Sequence, residues 1–533
     1  MSDSPATKPS SAEPKPDTPK PTPSVNVFAV HGADPEVLAY AMAKYSRSAL
    51  SMKESLKEIN EQKAEQFLNT FYFQYGHRSI ADLAHVAFAI EKLSLLAAIA
   101  LVDEQRWDGQ ERSTRYQNFK KSGYYTPDFG TGDAAENTKA LFIETIQHLF
   151  AEYEVYSEGM FRYLEERTPK PAAMEQGQYD RTLKARAFDL SRYLLPLATN
   201  TSLGQIVNAR TLETQISRLL ASPHHEIRNL GDLLKRAARE PAYNVGEARM
   251  RATLERIRHV SPSLADEVAP ELLREVRVSP TLVKYANANI YEIETRRDLR
   301  QAAEELMKGA AIAEQAHPVE LLDDDPLDIE LASTLLYAQC HYSYKQLREA
   351  VTALNEERRA ELIDLGLRHR GKHDELLRPF CAGQRFRFDV LMDVGGFRDM
   401  HRHRRCTQIE QGFTHLHGFD EPRELAQAGL HSRYRADMQR AADASKSIAA
   451  SGMHEAEASA QYVLPLAYRK RCLFNMDFAE TVYISELRTT EAGHQSYREV
   501  AYGMYDAVRK KYPAMAKYFR VTNVHDPVDM LKR

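Results

Sequence analysis

A chain of 533 residues with 43% hydrophobic content has room for two to four domains, and its four cysteines, without CxxC spacing, exclude a disulfide frame or zinc cluster. A net charge of −4 argues against a general polyanion binder, which is basic throughout. The first 23 residues are polar and the longest apolar run, Leu95 to Val102, is too short for a bilayer, so the sequence predicts a cytoplasmic protein with neither membrane nor nucleic-acid partner.

Residues 1–23 hold seven prolines among Ser, Thr, Lys and acidic residues and read as a disordered tail. The alternating, β-branched run Val25–Val30 predicts a strand. Asp34-Pro35 then predicts a helix start, with Asp34 as N-cap and the helix reaching about Tyr45. Ala81–Val102 has apolar residues at helical spacing with a polar break at Glu91-Lys92. Glu136–Glu166 reads as a long amphipathic helix, and Ser222-Pro223 as a cap and first turn for the helix holding Arg228. Leu282–Tyr285 predicts a short strand, Asp325-Pro326 a second helix start, Ile329–Tyr344 its helix, and Glu421–Ser451 another long helix. The class is α+β, helix-rich, with few and short strands.

Two features stand out from this background. Residues 401–405 run His-Arg-His-Arg-Arg, five basic side chains that repel one another unless an anion sits among them. Guanidinium forks match phosphate oxygens, so the run suits a nucleotide or dinucleotide; a solvated basic turn is the alternative. The other feature is repetition. Tyr193-Leu194-Leu195-Pro196-Leu197 recurs as Tyr462-Val463-Leu464-Pro465-Leu466, 269 positions on, and the pair Arg218 and Arg228 recurs as Arg488 and Arg498 at an offset of 270. Agreement to one residue predicts a tandem duplication: a tail at 1–23, one module at 24–270, a second at 275–533. Two unrelated helical domains are the other possibility.

These residues together resemble the flavin-dependent thymidylate synthase family, seen twice. The family carries a Gly-His segment, an Arg-His-Arg followed by Ser-x-Arg, an Ala-Arg-x-x-Leu-Pro element, an Asn-Ala-Arg, and an arginine ten residues ahead of the last residue of a Glu-Ile-Arg. The first module resembles this series in Gly76-His77-Arg78-Ser79, in Ser113-Thr114-Arg115 with Glu111 ahead of it, and in Arg192 before Leu195-Pro196. Asn208-Ala209-Arg210, Arg218 and Glu226-Ile227-Arg228 complete it. Each module departs from the pattern differently. Where the first should read Arg-His-Arg it has Asp103-Glu104-Gln105; a carboxylate about 4 Å from a ligand phosphate costs roughly 4 kcal/mol at an effective dielectric of about 20. The second keeps Arg402-His403-Arg404, Glu410, Arg488 and Arg498, but has Gly412 and Thr414 for the Ser and Arg, and Gln461 for the arginine before Leu-Pro. Family sites are assembled between identical subunits, so complementary losses predict composite sites between the modules, in a homodimer resembling the family's homotetramer.

The resemblance implies reductive methylation of deoxyuridine monophosphate (dUMP) to dTMP, with FAD as cofactor and methylenetetrahydrofolate and NADPH as co-substrates. It assigns Arg228 and Arg498 to the uracil as catalytic groups, and Glu111, Ser113, Arg115 and Arg192 to the nucleotide. His77, Ser79, Asn208, Arg210, Arg402, His403, Arg404 and Glu410 fall to the cofactor. No metal is expected: His401 and His403 alternate and could face one way, but no third ligand is evident. Cys406, beside the cationic run, would favour its thiolate, although the family uses no thiol there. Two other readings stand beside this one: flavin-dependent C5 modification of another pyrimidine nucleotide, and a non-catalytic flavin- or nucleotide-binding paralogue. RNA binding is opposed by the net charge and the lack of an aromatic RNA-binding motif.

Overall fold

A computed structural model describes residues 30, 32–44, 52–53, 56, 68, 78–104, 106–313, 317–322, 326–369, 371, 377–380, 386–513, 516 and 519–527. The tail at 1–23, most of the strand expected at 25–30, His77 and Cys381 lie outside them. The first half comprises α1 (Pro35–Lys44), β1 (His85–Ser94), α2 (Leu95–Val102), β2 (Asp108–Glu111), α3 (Asp133–Arg167), α4 (Gln176–Ser191), β3 (Asn200–Asn208), α5 (Ala209–Leu220), α6 (His225–Arg239), α7 (Glu247–Val260) and α8 (Pro262–Leu272). After the connecting helix α9 (Ile290–Leu306) the second half follows. It comprises β4 (Val319–Leu321), α10 (Leu327–Tyr337), α11 (Tyr344–Thr352), α12 (Glu356–Leu367), β5 (Phe386–Asp393), α13 (Val394–Met400) and β6 (Thr407–Glu410). It ends with α14 (Arg423–Gln427), α15 (His431–Ala449), α16 (Ala456–Ala460), β7 (Arg469–Met476), α17 (Phe478–Arg488) and α18 (Gln495–Lys511). The architecture is α+β and helix-rich. Among the described residues no helix is long and apolar enough to cross a membrane.

The halves repeat one plan. The sheets run β1-β3-β2 and β4-β5-β7-β6, all antiparallel, so β5-β7-β6 reproduces β1-β3-β2. At the end of each long strand a short polar residue caps the next helix: Ser94 accepts from Ala97 N and Asp393 from Gly396 N. The turn after β3 repeats this with Asn208, the turn after β7 with Asp477. Where the two Leu-Pro segments meet, Leu197 N donates to Leu464 O and Leu466 N to Leu195 O, both at 2.9 Å. Ala198 N to Tyr462 O and Ala467 N to Tyr193 O complete the set. Each bond becomes its partner when the halves are exchanged at the offset of 269, so a local two-fold relates them through Pro196 and Pro465.

Several expected elements differ. Ala81–Val102 is a turn, a strand and then a helix; the strand buries alternate residues, and Lys92, at φ 63°, marks an irregularity between Glu91 and Leu93 that the polar break foreshadowed. Leu282–Tyr285 is a turn, buried at Leu282 and Val283, because the Glu36 carboxylate takes the Thr281 and Leu282 amides that a strand ladder would need. Asp34 gives its carboxylate to Arg274. The helix expected at 329–344 ends at Tyr337, since Ser343 starts α11 with a capping box. The one expected at 421–451 breaks at Gly429, φ 73°, leaving α14 and α15. Arg228 lies in a helix that begins at His225, two residues beyond Pro223.

Candidate functional site

The first turns of α18 carry His494, Tyr497 and Arg498, spaced three and four residues apart and so on one face. That face meets the first half at the end of α4. Asp189 there, 4% exposed, is the hub: Arg115 Nε donates to its Oδ1 at 2.9 Å and Arg115 Nη2 to Oδ2 at 3.4 Å. Arg192 Nε lies 3.4 Å from Oδ1 and His494 Nδ1 3.1 Å from the same oxygen. Burial opposes ionisation of Asp189, yet the charges of His494, Arg192 and Arg115 hold its carboxyl well below the usual carboxylate range. His494 Nε2 pairs with the Tyr193 hydroxyl at 2.7 Å, and Arg115 reaches Tyr497 Oη at 3.1 Å and Ala492 O at 3.0 Å. Every one of these contacts except those of Asp189 with Arg115 and Arg192 joins the two halves.

The second half contributes a further row of cations. Arg398 binds Glu111 and, at 3.2 Å, Thr114 Oγ1. Arg488 Nε meets His403 Nε2 at 2.7 Å, and its guanidinium lies 5.5 Å from the Tyr497 ring centre, opposed by Arg115 at 5.7 Å. Arg404 lies 5.7 Å from the Trp107 ring centre and 3.4 Å from Asp108, both in the first half. Ile99, Trp107 and Glu111 of the first half and Arg398, His401 and Arg402 of the second line a small, partly open cleft. Arg402 is exposed and, among the described residues, has neither an ion-pair nor a hydrogen-bond partner.

Hydrogen bonding here is incomplete, although Arg192 lies 3.4 Å from Asp189 and 3.7 Å from Asp399 and Arg398 binds Glu111. Arg192 is 2% exposed, but its Nε and Nη2 make no hydrogen bond; Arg398 Nε, Arg498 Nη2 and Ser496 Oγ are buried in the same state. Arg498 donates only to Thr489 O and Gln495 Oε1, and burial holds its guanidinium below the ordinary arginine value. Buried donors that point at nothing are rare and costly. Three guanidiniums in that state across one interface have the chemistry of a site for a small anion with several oxygens.

The local two-fold generates a counterpart to this site, assembled from Arg218, Arg228, His224 and Tyr462. Arg218 donates to Glu104 at 3.0 and 2.8 Å, Arg378 binds Asp103 at 2.6 Å, and Arg228 binds Glu455. Gln461 and Thr414 stand where the first site has Arg192 and Arg115. Lys470, not an arginine, pairs with Glu410, at 2.7 Å.

Of the residues singled out from the sequence, Glu111, Arg115, Arg192, Arg402, His403, Arg404 and Arg498 therefore belong to one region, and Ser113 joins them as the side chain accepting from Arg115 N. Arg228 and Glu410 lie on the counterpart's side. Asn208 caps α5 by accepting from Thr211 N at 2.8 Å, and Arg210 pairs with Asp82 at 3.4 Å, neither in the cleft. Ser79 lies in the turn Arg78–Leu83. The basic run fans out: His401 faces Gln408 and Glu410, His403 faces Glu480 and Arg488, and Arg405 pairs with Asp477 at 2.9 Å. Asp103, His401 and Glu410 bring ligand atoms within 4.8 Å of one another, but Arg378 and Lys470 already neutralise both carboxylates. Cys406 is buried, bonds to His403 O, and its thiol is pushed up to about 12, chiefly by burial; the neighbouring cations do not make it a thiolate. Sequence reading missed Asp189, Tyr193, Arg398, His494 and Tyr497. The repeat itself could have pointed to His494, since His224 stands four residues before Arg228 as His494 does before Arg498.

The family model described as Thymidylate synthase complementing protein matches residues 29–242 and again 321–514. The UPF0159 protein of Chlamydia pneumoniae is 28% identical over 536 residues, covering 94% of this chain and 92% of that protein. The flavin-dependent thymidylate synthase of Clostridium tetani is 26% identical over 213 residues, 40% of this chain and 81% of that protein. Among solved structures, Helicobacter pylori ThyX with FAD and dUMP is 17% identical and aligns over 38% of this chain and 88% of its own, with a TM-score of 0.25.

Proposed function

Since the chain belongs to the flavin-dependent thymidylate synthase family, with the family pattern in tandem, we propose that it methylates C5 of dUMP, in composite sites between its halves. Methylenetetrahydrofolate gives the carbon and NADPH reduces the flavin. The observation that carries this reading is the set of buried, unpartnered guanidinium N–H groups on Arg192, Arg398 and Arg498. They supply the donors a nucleotide phosphate and a developing pyrimidine anion require.

In this reading Arg115 and Arg192, aligned by Asp189, hold the phosphate, with Ser113 beside them. Arg498 faces the uracil, where a group that cannot lose its proton stabilises charge as it develops on the ring. Arg402, His403 and Arg404 hold the flavin phosphates, a fit supported by the unpartnered Arg402 and by the cleft it shares with Trp107. FAD, once bound and reduced, provides the hydride. No protein nucleophile is needed, in keeping with the protonated, buried Cys406. What the chain supplies is register: three ligands held together, and fixed positive charge in a partly dry cleft. A homodimer completing the family's four-module assembly is part of the same proposal.

Purified protein tests it directly. A yellow preparation with an FAD spectrum, whose NADPH oxidation rises with dUMP, is the expected result; rescue of a thymidine-requiring bacterium then separates thymidylate synthesis from modification of another pyrimidine. Colourless protein that dUMP does not bind sinks the reading.

A further inference from the structure

We infer that each chain binds a single nucleotide, because the pocket related to the intact one by the local two-fold has lost its phosphate-holding groups, has its remaining arginines neutralised by the protein's own carboxylates, and is bordered by its connecting helix. This rests on the functional reading above and fixes how many times it applies.

Three observations coincide at the counterpart. The groups that would hold a phosphate are gone: Gly412 replaces Ser113, Thr414 replaces Arg115 and Gln461 replaces Arg192. The cations that remain are already bound by carboxylates, Arg218 by Glu104 and Arg228 by Glu455, with Asp103 on Arg378 beside them. In the intact site the equivalent Arg488 meets a histidine and the Tyr497 ring, and Arg498 a carbonyl and an amide oxygen. Glu104 and Glu455 each neutralise an arginine whose equivalent across the two-fold, Arg488 or Arg498, meets no carboxylate among the described residues. A phosphate entering at about 4 Å from one of these carboxylates would lose on the order of a thousandfold in affinity.

The third observation is steric. The segment joining the halves runs along α5 and α6, where Ser217 Oγ donates to Asn287 O at 2.7 Å and Lys235 pairs with Asn287 Oδ1 at 3.0 Å. From there α9 crosses between the halves at this pocket. Arg296 donates to Ala221 O at 3.0 Å in the first half, and Arg300 approaches Glu457 to 3.7 Å in the second, two residues from the Glu455 that holds Arg228. The connection lies over only one of the two related pockets, because it joins the end of one half to the start of the other. Duplication thus created an unequal pair at once, and the site beneath the connection was the one free to fill with internal ion pairs.

Counting bound ligand decides the matter. Full-length, flavin-loaded protein is titrated with radiolabelled dUMP by equilibrium dialysis, and bound nucleotide is scored against chain concentration. One dUMP per chain is the expected result. Two per chain overturns the inference while leaving the proposed function standing; none overturns the proposed function and this inference with it. Arg498→Ala and Glu455→Ala give an independent readout: the first should raise the dUMP dissociation constant tenfold or more, the second by less than twofold with unchanged stoichiometry. A fresh second binding event in Glu455→Ala would show that the pocket is merely gated by that carboxylate, and overturns the loss of its phosphate-holding groups as the cause.

Discussion

The two pockets related by the local two-fold began with the same backbone and now differ in how their arginines are satisfied. In one, Arg192, Arg398 and Arg498 are buried with donors left open. In the other, Glu104 and Glu455 answer Arg218 and Arg228. Open buried donors cost stability and are retained where a ligand repays them; internal ion pairs remove that cost together with the ligand. Two pockets of one plan thus differ in whether the paired arginines, Arg498 and Arg228, meet a carboxylate.

The comparison breaks most readily at its paired arginines. Arg498→Ala should lower kcat/KM for dUMP about a hundredfold, the loss of one or two charge-assisted hydrogen bonds of roughly 1.5–3 kcal/mol each. Arg228→Ala should lower it less than threefold. Equal losses in steady-state assays of the two variants would mean that both pockets work. Asp189→Asn comes next. It leaves Arg115, Arg192 and His494 facing a neutral amide, and should cost roughly 3–5 kcal/mol in urea unfolding at pH 7. Because the folded-state pKa of Asp189 is depressed, its contribution is complete above the unfolded value near 4 and fades as pH falls below that. The gap between wild type and Asp189→Asn should therefore narrow between about pH 4 and pH 3; a gap that widens there contradicts the assignment. Asp103→Asn, in the closed pocket, removes the partner of Arg378 and should cost roughly 3 kcal/mol of stability. It should change kcat/KM less than twofold, which separates structural charge from ligand-binding charge.

The sequence was legible where one residue type serves one purpose. Duplication followed from the Leu-Pro segments and the paired arginines, the α+β class from long helical periods with few short strands, and the complementary losses from the Arg-His-Arg and Ser-x-Arg positions; Arg115, Arg192, Arg402 and Arg498 do gather in one region. It was illegible where tertiary context decides. Ala81–Val102 has a helical apolar period, yet pairing with Asn200–Asn208 makes its first part a strand. Arg228 and Arg498 look equivalent in sequence, but Arg498 is buried without a carboxylate, while the half-buried Arg228 binds Glu455, itself left-handed at φ 56°. Asp189 and His494 carry no motif, because their importance lies in touching residues 74 and 305 positions away.

The smallest expected effect concerns Cys406, which lines the counterpart's pocket beside Asp103, His401 and Arg404. Five cations nearby in sequence suggest an activated thiol, but proximity in sequence does not set its charge. The side chain is 4% exposed, its Sγ donates to His403 O, and Gln408 Nε2 stands 3.4 Å from it. Burial dominates and raises its pKa to about 12. At pH 7.5 a thiol with that pKa is thiolate in only about three molecules in a hundred thousand. Cys406→Ser should therefore leave dUMP-stimulated NADPH oxidation within twofold of wild type, with a stability loss of about 1 kcal/mol from exchanging a buried thiol for a more strongly hydrated hydroxyl. Iodoacetamide at neutral pH should leave Cys406 unlabelled in the folded protein, as mapped by peptide mass spectrometry. Rapid labelling there, or loss of turnover in Cys406→Ser with flavin still bound, would restore a covalent mechanism and remove the reason for assigning catalysis to fixed positive charge alone.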